Sequence, residues 1–86
     1  MNVRIPTPLR SYTANATRVE GAGVTIDDVL IDLDRQFPGL RFRVVDEQGR
    51  LRKHMKLFVN TELVRDLATA VGPTDELTLM QALSGG

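Results

Sequence analysis

Few residues of this chain can do chemistry. Its 86 residues include no cysteine and one histidine, His54, so disulfides, thiolate sites and histidine metal clusters are excluded. No metal site and no catalytic residue is expected. The stretch that stands out is "QALSGG", residues 81–86, which closes on Gly85-Gly86. Glycine has no Cβ to pack and loses more backbone entropy on ordering than any other residue. The pair therefore suits a carboxyl end that is thin, mobile and reachable, and the group it offers is a carboxylate.

Charge is the other chemical resource. Eleven basic and eleven acidic residues cancel, whereas nucleic-acid binding usually needs a net basic field. Arg41, Arg43, Arg50, Arg52, Lys53 and Lys56 form a locally basic stretch, and Asp27, Asp28, Asp32 and Asp34 an acidic one. Both read as solvated faces; the functional alternative for the basic stretch is steering toward an acidic partner. His54 reads as an exposed turn residue and Tyr12 as packing for its loop. There is no apolar run of membrane-spanning length and no apolar segment of signal-peptide type at the start. A soluble cytoplasmic protein is expected, with no nucleic-acid or membrane partner.

The elements that must position the terminus can be read from periodicity. "NVRIP" alternates, with Val3 and Ile5 on one side, and Pro6 and Pro8 end it. A loop is expected through "TPLRSYTANA". "TRVEG" alternates again and should pair with the first strand as a hairpin, closed by Gly21 and Gly23. In "TIDDVLIDLDRQF", Ile26, Val29, Leu30, Leu33 and Phe37 share one helical face. Thr25 with Asp28 reads as a capping box, and Pro38-Gly39 stops the helix. Phe42 and Val44 are expected in a short strand or an extended arm, followed by a turn at "DEQG". "MKLFVN" is a strand with Met55, Leu57 and Val59 on one side. Asn60-Thr61 turns it back into a short strand, and "DLATAVGPTDE" is loop and turn. "ELTLMQAL" is the last strand, Leu77 and Leu79 facing inward.

A helix between two strand pairs must lay its stripe across one face of a single sheet. The expected fold is α+β: a ubiquitin-like β-grasp, with one main helix packed across one face of a mixed sheet. The first and last strands become central neighbours. One domain over residues 1–81 and a flexible tail over residues 82–86 are expected. Phe58 and Met80 lie opposite the core residues of their strands. Exposed aromatic and methionine side chains on an open sheet face are typical interface anchors, so this pair is the expected docking patch.

The segments "IPTPLRSYT", "LFVNTELVR", "LATAV" with Asp75 in the turn, and "LTLMQALSGG" resemble the bacterial ThiS/MoaD sulfur-carrier family along essentially the whole chain. They look closest to the carrier of a thiocarboxylate-dependent cysteine synthesis. Where many members end Ala-Gly-Gly or Thr-Gly-Gly, this chain reads Ser84-Gly85-Gly86. The segment between Phe37 and Lys56 is longer than in the shortest members, which resemble thiamine carriers.

The resemblance implies a carrier and co-substrate rather than an enzyme. A separate ATP-dependent E1-like activating enzyme would adenylate the Gly86 carboxylate. Sulfur would then convert it to a thiocarboxylate, used by a sulfur-accepting biosynthetic enzyme. No cofactor is bound, and ATP is used by the activating enzyme. Leu83, Ser84 and Gly85 would thread the tail, since a narrow channel excludes any Cβ beside the reacting carboxyl. The free protein is expected to be a monomer. Two alternatives remain: a ubiquitin-like modifier forming isopeptide bonds through Gly86, or a small subunit of molybdopterin synthase.

Overall fold

A computed structural model describes residues 1–82 of the chain. Five strands form one sheet in the order β2-β1-β5-β3-β4. β1 (Asn2–Arg4) and β2 (Arg18–Glu20) pair antiparallel, as do β3 (Met55–Val59) and β4 (Glu62–Val64). The last strand, β5 (Glu76–Gln81), joins the two hairpins, parallel to β1 and antiparallel to β3. First and last strands are thus neighbours at the centre of the expected β-grasp sheet.

Helix α1 (Ile26–Gln36) buries Ile26, Val29, Leu30 and Leu33, the stripe expected from sequence. These meet Val3, Ile5, Met55, Leu57, Leu77 and Leu79, so one sheet face and one helix face make the core. The Thr25 hydroxyl accepts from the Asp28 N–H at 3.2 Å, the N-terminal cap. The loop after β4 serves the same helix end: the Ile26 and Asp27 N–H groups donate to Thr69 and Leu67 carbonyls at 3.1 and 3.0 Å. Donors that a helix start leaves without partners are thereby satisfied. Gly23 fits where the chain passes this turn. A Cβ there would sit 2.5 Å from Asp28 Cβ and 2.7 Å from Val29 N.

Two segments differ from expectation. Residues Thr7–Thr13 form a 3-10 helix rather than a loop. Pro8 presets the first turn, and Leu9 and Thr13 are buried beneath it. The Thr13 hydroxyl donates to the Ala16 carbonyl at 2.9 Å. Ala14 and Asn15, both at positive φ, end it. Tyr12 packs against the core from this segment, as read from sequence.

The second departure is at Leu40–Val44, which is a short helix, α2, and not a strand or extended arm. Gly39, at φ 95°, restarts the chain, and Asp34 Oδ1 accepts from the Gly39 and Arg41 N–H groups at 3.1 and 3.2 Å. Leu40 and Val44, one helical turn apart, are both fully buried, while Phe42 is left 55% exposed. The apolar spacing that suggested period two belongs to a helix. "DEQG" is the expected turn: the Gly49 N–H donates to the Asp46 carbonyl at 3.0 Å.

Candidate functional site

The face of the sheet away from α1 carries the alternate residues of each strand. In the β3–β5 ladder Lys56 stands opposite Met80, and Phe58 opposite Thr78. Phe58 and Met80 are therefore diagonal neighbours on one face, within reach of each other for long side chains. Met80 is 47% exposed, and Phe58 is half-buried. The two expected anchors thus stand together on the sheet face away from α1.

A third residue joins them. The Asn60-Thr61 turn sets β4 in register so that Leu63 stands directly opposite Phe58. Leu63 is 52% exposed. Sequence reasoning missed it, although the signal was present: a two-residue turn fixes which residues face each other. Asn60, at φ 57°, occupies the left-handed turn position. It also pins the start of β5. Its N–H donates to the Glu76 carbonyl at 2.7 Å, its Oδ1 accepts the Glu76 N–H at 3.0 Å, and its Nδ2 donates to Asp75 Oδ1 at 3.0 Å.

Asp75 also accepts the Gly72 N–H at 2.8 Å. That hydrogen bond, then the Asn60 side-chain amide, hold its carboxyl below the ordinary value. The turn before β5 is therefore tied both to itself and to the β3–β4 turn. This arrangement fixes the strand that leads to the carboxyl end.

At the other end of β5, Gln81 pairs with Met55, and the Ala82 N–H donates to the His54 carbonyl at 2.7 Å. His54 itself is an exposed turn residue, as read from sequence. The expected tail residues Leu83, Ser84, Gly85 and Gly86 lie outside the described residues. Among the described residues there is no group of three His, Asp or Glu side chains able to hold a metal ion. No described helix is long and apolar enough to cross a membrane. The site is thus an exposed apolar patch on the sheet face away from α1, beside the central strand β5.

A model described as the ThiS family matches residues 3–86. The chain is 35% identical over 91 residues to the sulfur carrier protein CysO of Mycobacterium tuberculosis, covering 100% of this chain and 98% of the relative. A chain in the crystal structure of the Amycolatopsis orientalis BexX/CysO complex superposes with a TM-score of 0.91 at 34% identity, covering 99% of this chain and 98% of that one. SAMP1 of Haloferax volcanii superposes with a TM-score of 0.79 at 31% identity, covering 100% and 98%.

Proposed function

The chain belongs to the ThiS family, and from that premise we propose that Gly86 is the sulfur-bearing end of a carrier whose folded body is held by its partner enzymes. It is a sulfur carrier protein akin to CysO and a co-substrate rather than a catalyst. The observation that carries the assignment to Gly86 is that the family match runs through residue 86. Gly85 and Gly86 therefore lie inside the matched segment.

The chemistry stems from the weakness of a carboxylate as an electrophile. Attack of the Gly86 carboxylate on the α-phosphorus of ATP gives an acyl adenylate and releases pyrophosphate. Hydrosulfide then attacks the acyl carbon and AMP departs, leaving a thiocarboxylate and a proton. A persulfide sulfur serves equally as nucleophile if two external thiols then reduce the resulting acyl disulfide, releasing the thiocarboxylate and the sulfur donor's thiol as they join in a disulfide. The chain has no cysteine, so no thiol of its own competes for the activated carbonyl. Hydrolysis of the acyl–sulfur bond after delivery restores the carboxylate.

The family is associated with E1-like activating enzymes and with sulfur-accepting enzymes. For this chain we propose both: an ATP-dependent E1-like enzyme for loading and a biosynthetic enzyme, of cysteine synthesis, for delivery. Phe58 and Met80, with Leu63, are the proposed docking anchors, and Leu83, Ser84 and Gly85 the threading segment. The proposed setting is the cytoplasm, where adenylation can draw on ATP, and the proposed free form is a monomer.

Intact mass spectrometry of the protein purified from its own host tests this. Replacement of one oxygen by sulfur, mapped to Gly86, is the expected result. Failure to load with ATP, sulfide and the host's activating enzyme would overturn it. The likeness to SAMP1 favours one second reading, isopeptide attachment of Gly86 to lysines, which higher-mass conjugates in cells would reveal.

A further inference from the structure

Two clefts share Gln81, the last residue of β5. Phe42, Arg43, Arg52, His54 and Gln81 line one of them. The other is lined in part by Arg4, Arg10, Arg18, Met80 and Gln81. Between them the two clefts are lined by five arginines and a histidine, Gln81 is common to both, and among the described residues no Asp or Glu lines either. The chain as a whole carries as many acids as bases, but the charged residues that line these clefts are all basic. Several acids are engaged elsewhere: Asp27 pairs with Arg41 at 2.8 Å and Asp32 with Arg35 at 3.1 Å.

The arrangement works against the stability of the sheet. Arg4 and Arg18 stand directly opposite each other in the β1–β2 ladder, and like charges so placed destabilise a strand pair. Arg4 approaches Glu76 only at 4.0 Å. Such crowding is relieved when an anionic surface arrives.

We propose that the two clefts form one cationic collar around the root of the tail, and that the collar seats an acidic rim on the protein into which the tail is threaded. This rests on the carrier reading above. Gly86 lies five residues beyond Gln81, and an extended chain spans about 3.3 Å per residue, roughly 16 Å in all. The adenylate phosphate on a threaded Gly86 is therefore beyond the arginines' reach, and they meet the mouth of the partner's channel. Nucleic acid fits less well. The aromatic ring at the collar, Phe42, is already stacked by Arg52, 4.6 Å from its centroid, where a base-stacking platform would need an open ring. Rim charges of this kind act on encounter rate and salt dependence more than on the chemical step.

The test is adenylation by the host's activating enzyme, followed as pyrophosphate exchange at increasing ionic strength. The chains compared are the wild type, Arg18→Glu, Arg43→Glu and, as control on α1, Arg35→Glu. Wild-type kcat/KM should fall as salt rises. Each collar variant should raise KM about tenfold with kcat within about twofold, and flatten the salt dependence. Arg35→Glu should behave as wild type. Arg18→Glu places an acid opposite Arg4, so its melting temperature should hold or rise while its activation falls, which separates docking from folding. Salt-independent activation of the wild type, or collar variants that match the control, would overturn the collar alone. So would loss of tRNA binding by the collar variants with activation preserved. No exchange with the wild type at all would overturn the carrier reading, and the collar with it.

Discussion

The backbone N–H of Ala82 donates to the carbonyl oxygen of His54 across 2.7 Å. β5 is thereby held against the chain ahead of β3 for one residue beyond the Met55–Gln81 pair. Met55 is fully buried, so this anchor belongs to the core. The chain therefore leaves the sheet from a fixed point of the central strand.

Removing Gly86, or masking it with one added residue, should abolish sulfur loading and leave the thermal melt unchanged. Gly85→Ala should lower loading about a hundredfold, the scale on which small misplacements of a reacting group act. Intact mass after incubation with ATP, sulfide and the activating enzyme reads both. Full loading of the shortened chain would remove Gly86 from the mechanism.

Met80→Glu should raise the KM for activation at least about tenfold, a loss of about 1.4 kcal/mol, as expected for an anchor in an interface. Its folding stability should stay within about 0.5 kcal/mol of wild type, since the side chain is half in solvent. Leu63→Asp should behave alike. Phe58→Ala should lose both, because Phe58 is half-buried. Unchanged kinetics in all three would remove the patch from docking.

Leu77 is fully buried and pairs with Val3 on one side and Val59 on the other. Leu77→Ala should cost about 2–5 kcal/mol in chemical denaturation. Gly23→Ala should cost about 1–3 kcal/mol, the range for overpacking, because the new methyl group meets the backbone of Val29. A neutral Gly23→Ala would mean that the turn into α1 can shift.

Asp75 links stability to pH. Its folded pKa lies below the ordinary 3.8, first through the Gly72 N–H and then the Asn60 amide. A depressed carboxyl pKa contributes stability that is fully present above the unfolded value and is lost as pH falls through the folded value. Urea melts should show the wild type losing stability below about pH 4, with a shallower acid limb in Asp75→Asn. Identical acid limbs would show that the carboxylate contributes nothing beyond its hydrogen-bonding shape.

The order of strands, the main helix and the outward placement of Phe58 and Met80 could be read from the chain because each rests on local pattern. Ile26, Val29, Leu30 and Leu33 repeat with helical period, and Leu77 and Leu79 alternate with Met80. Leu40–Val44 could not be read that way. In so short a segment two-fold alternation and a single helical turn place nearly the same residues inward, and the Gly39 reversal with its Asp34 cap decided between them. The 3-10 helix at Thr7–Thr13 was hidden for a related reason: prolines mark where a strand stops but not which conformation the chain takes after it.

By itself the sequence determined the β-grasp order, the face of α1 that would be buried, and the alternation that turns Phe58 and Met80 outward. All of these depend on separations of a few residues. Only the tertiary structure decided that Leu63 joins them, that Asn60 and Asp75 lock the entry to β5, and that the cleft lined by Arg4, Arg10 and Arg18 shares Gln81 with the cleft lined by Arg43 and Arg52. Those groups lie far apart along the chain, in segments that charge counting treats as unrelated. The placement of β5 between the two hairpins brings them together, because only there can Leu77 and Leu79 leave water against α1.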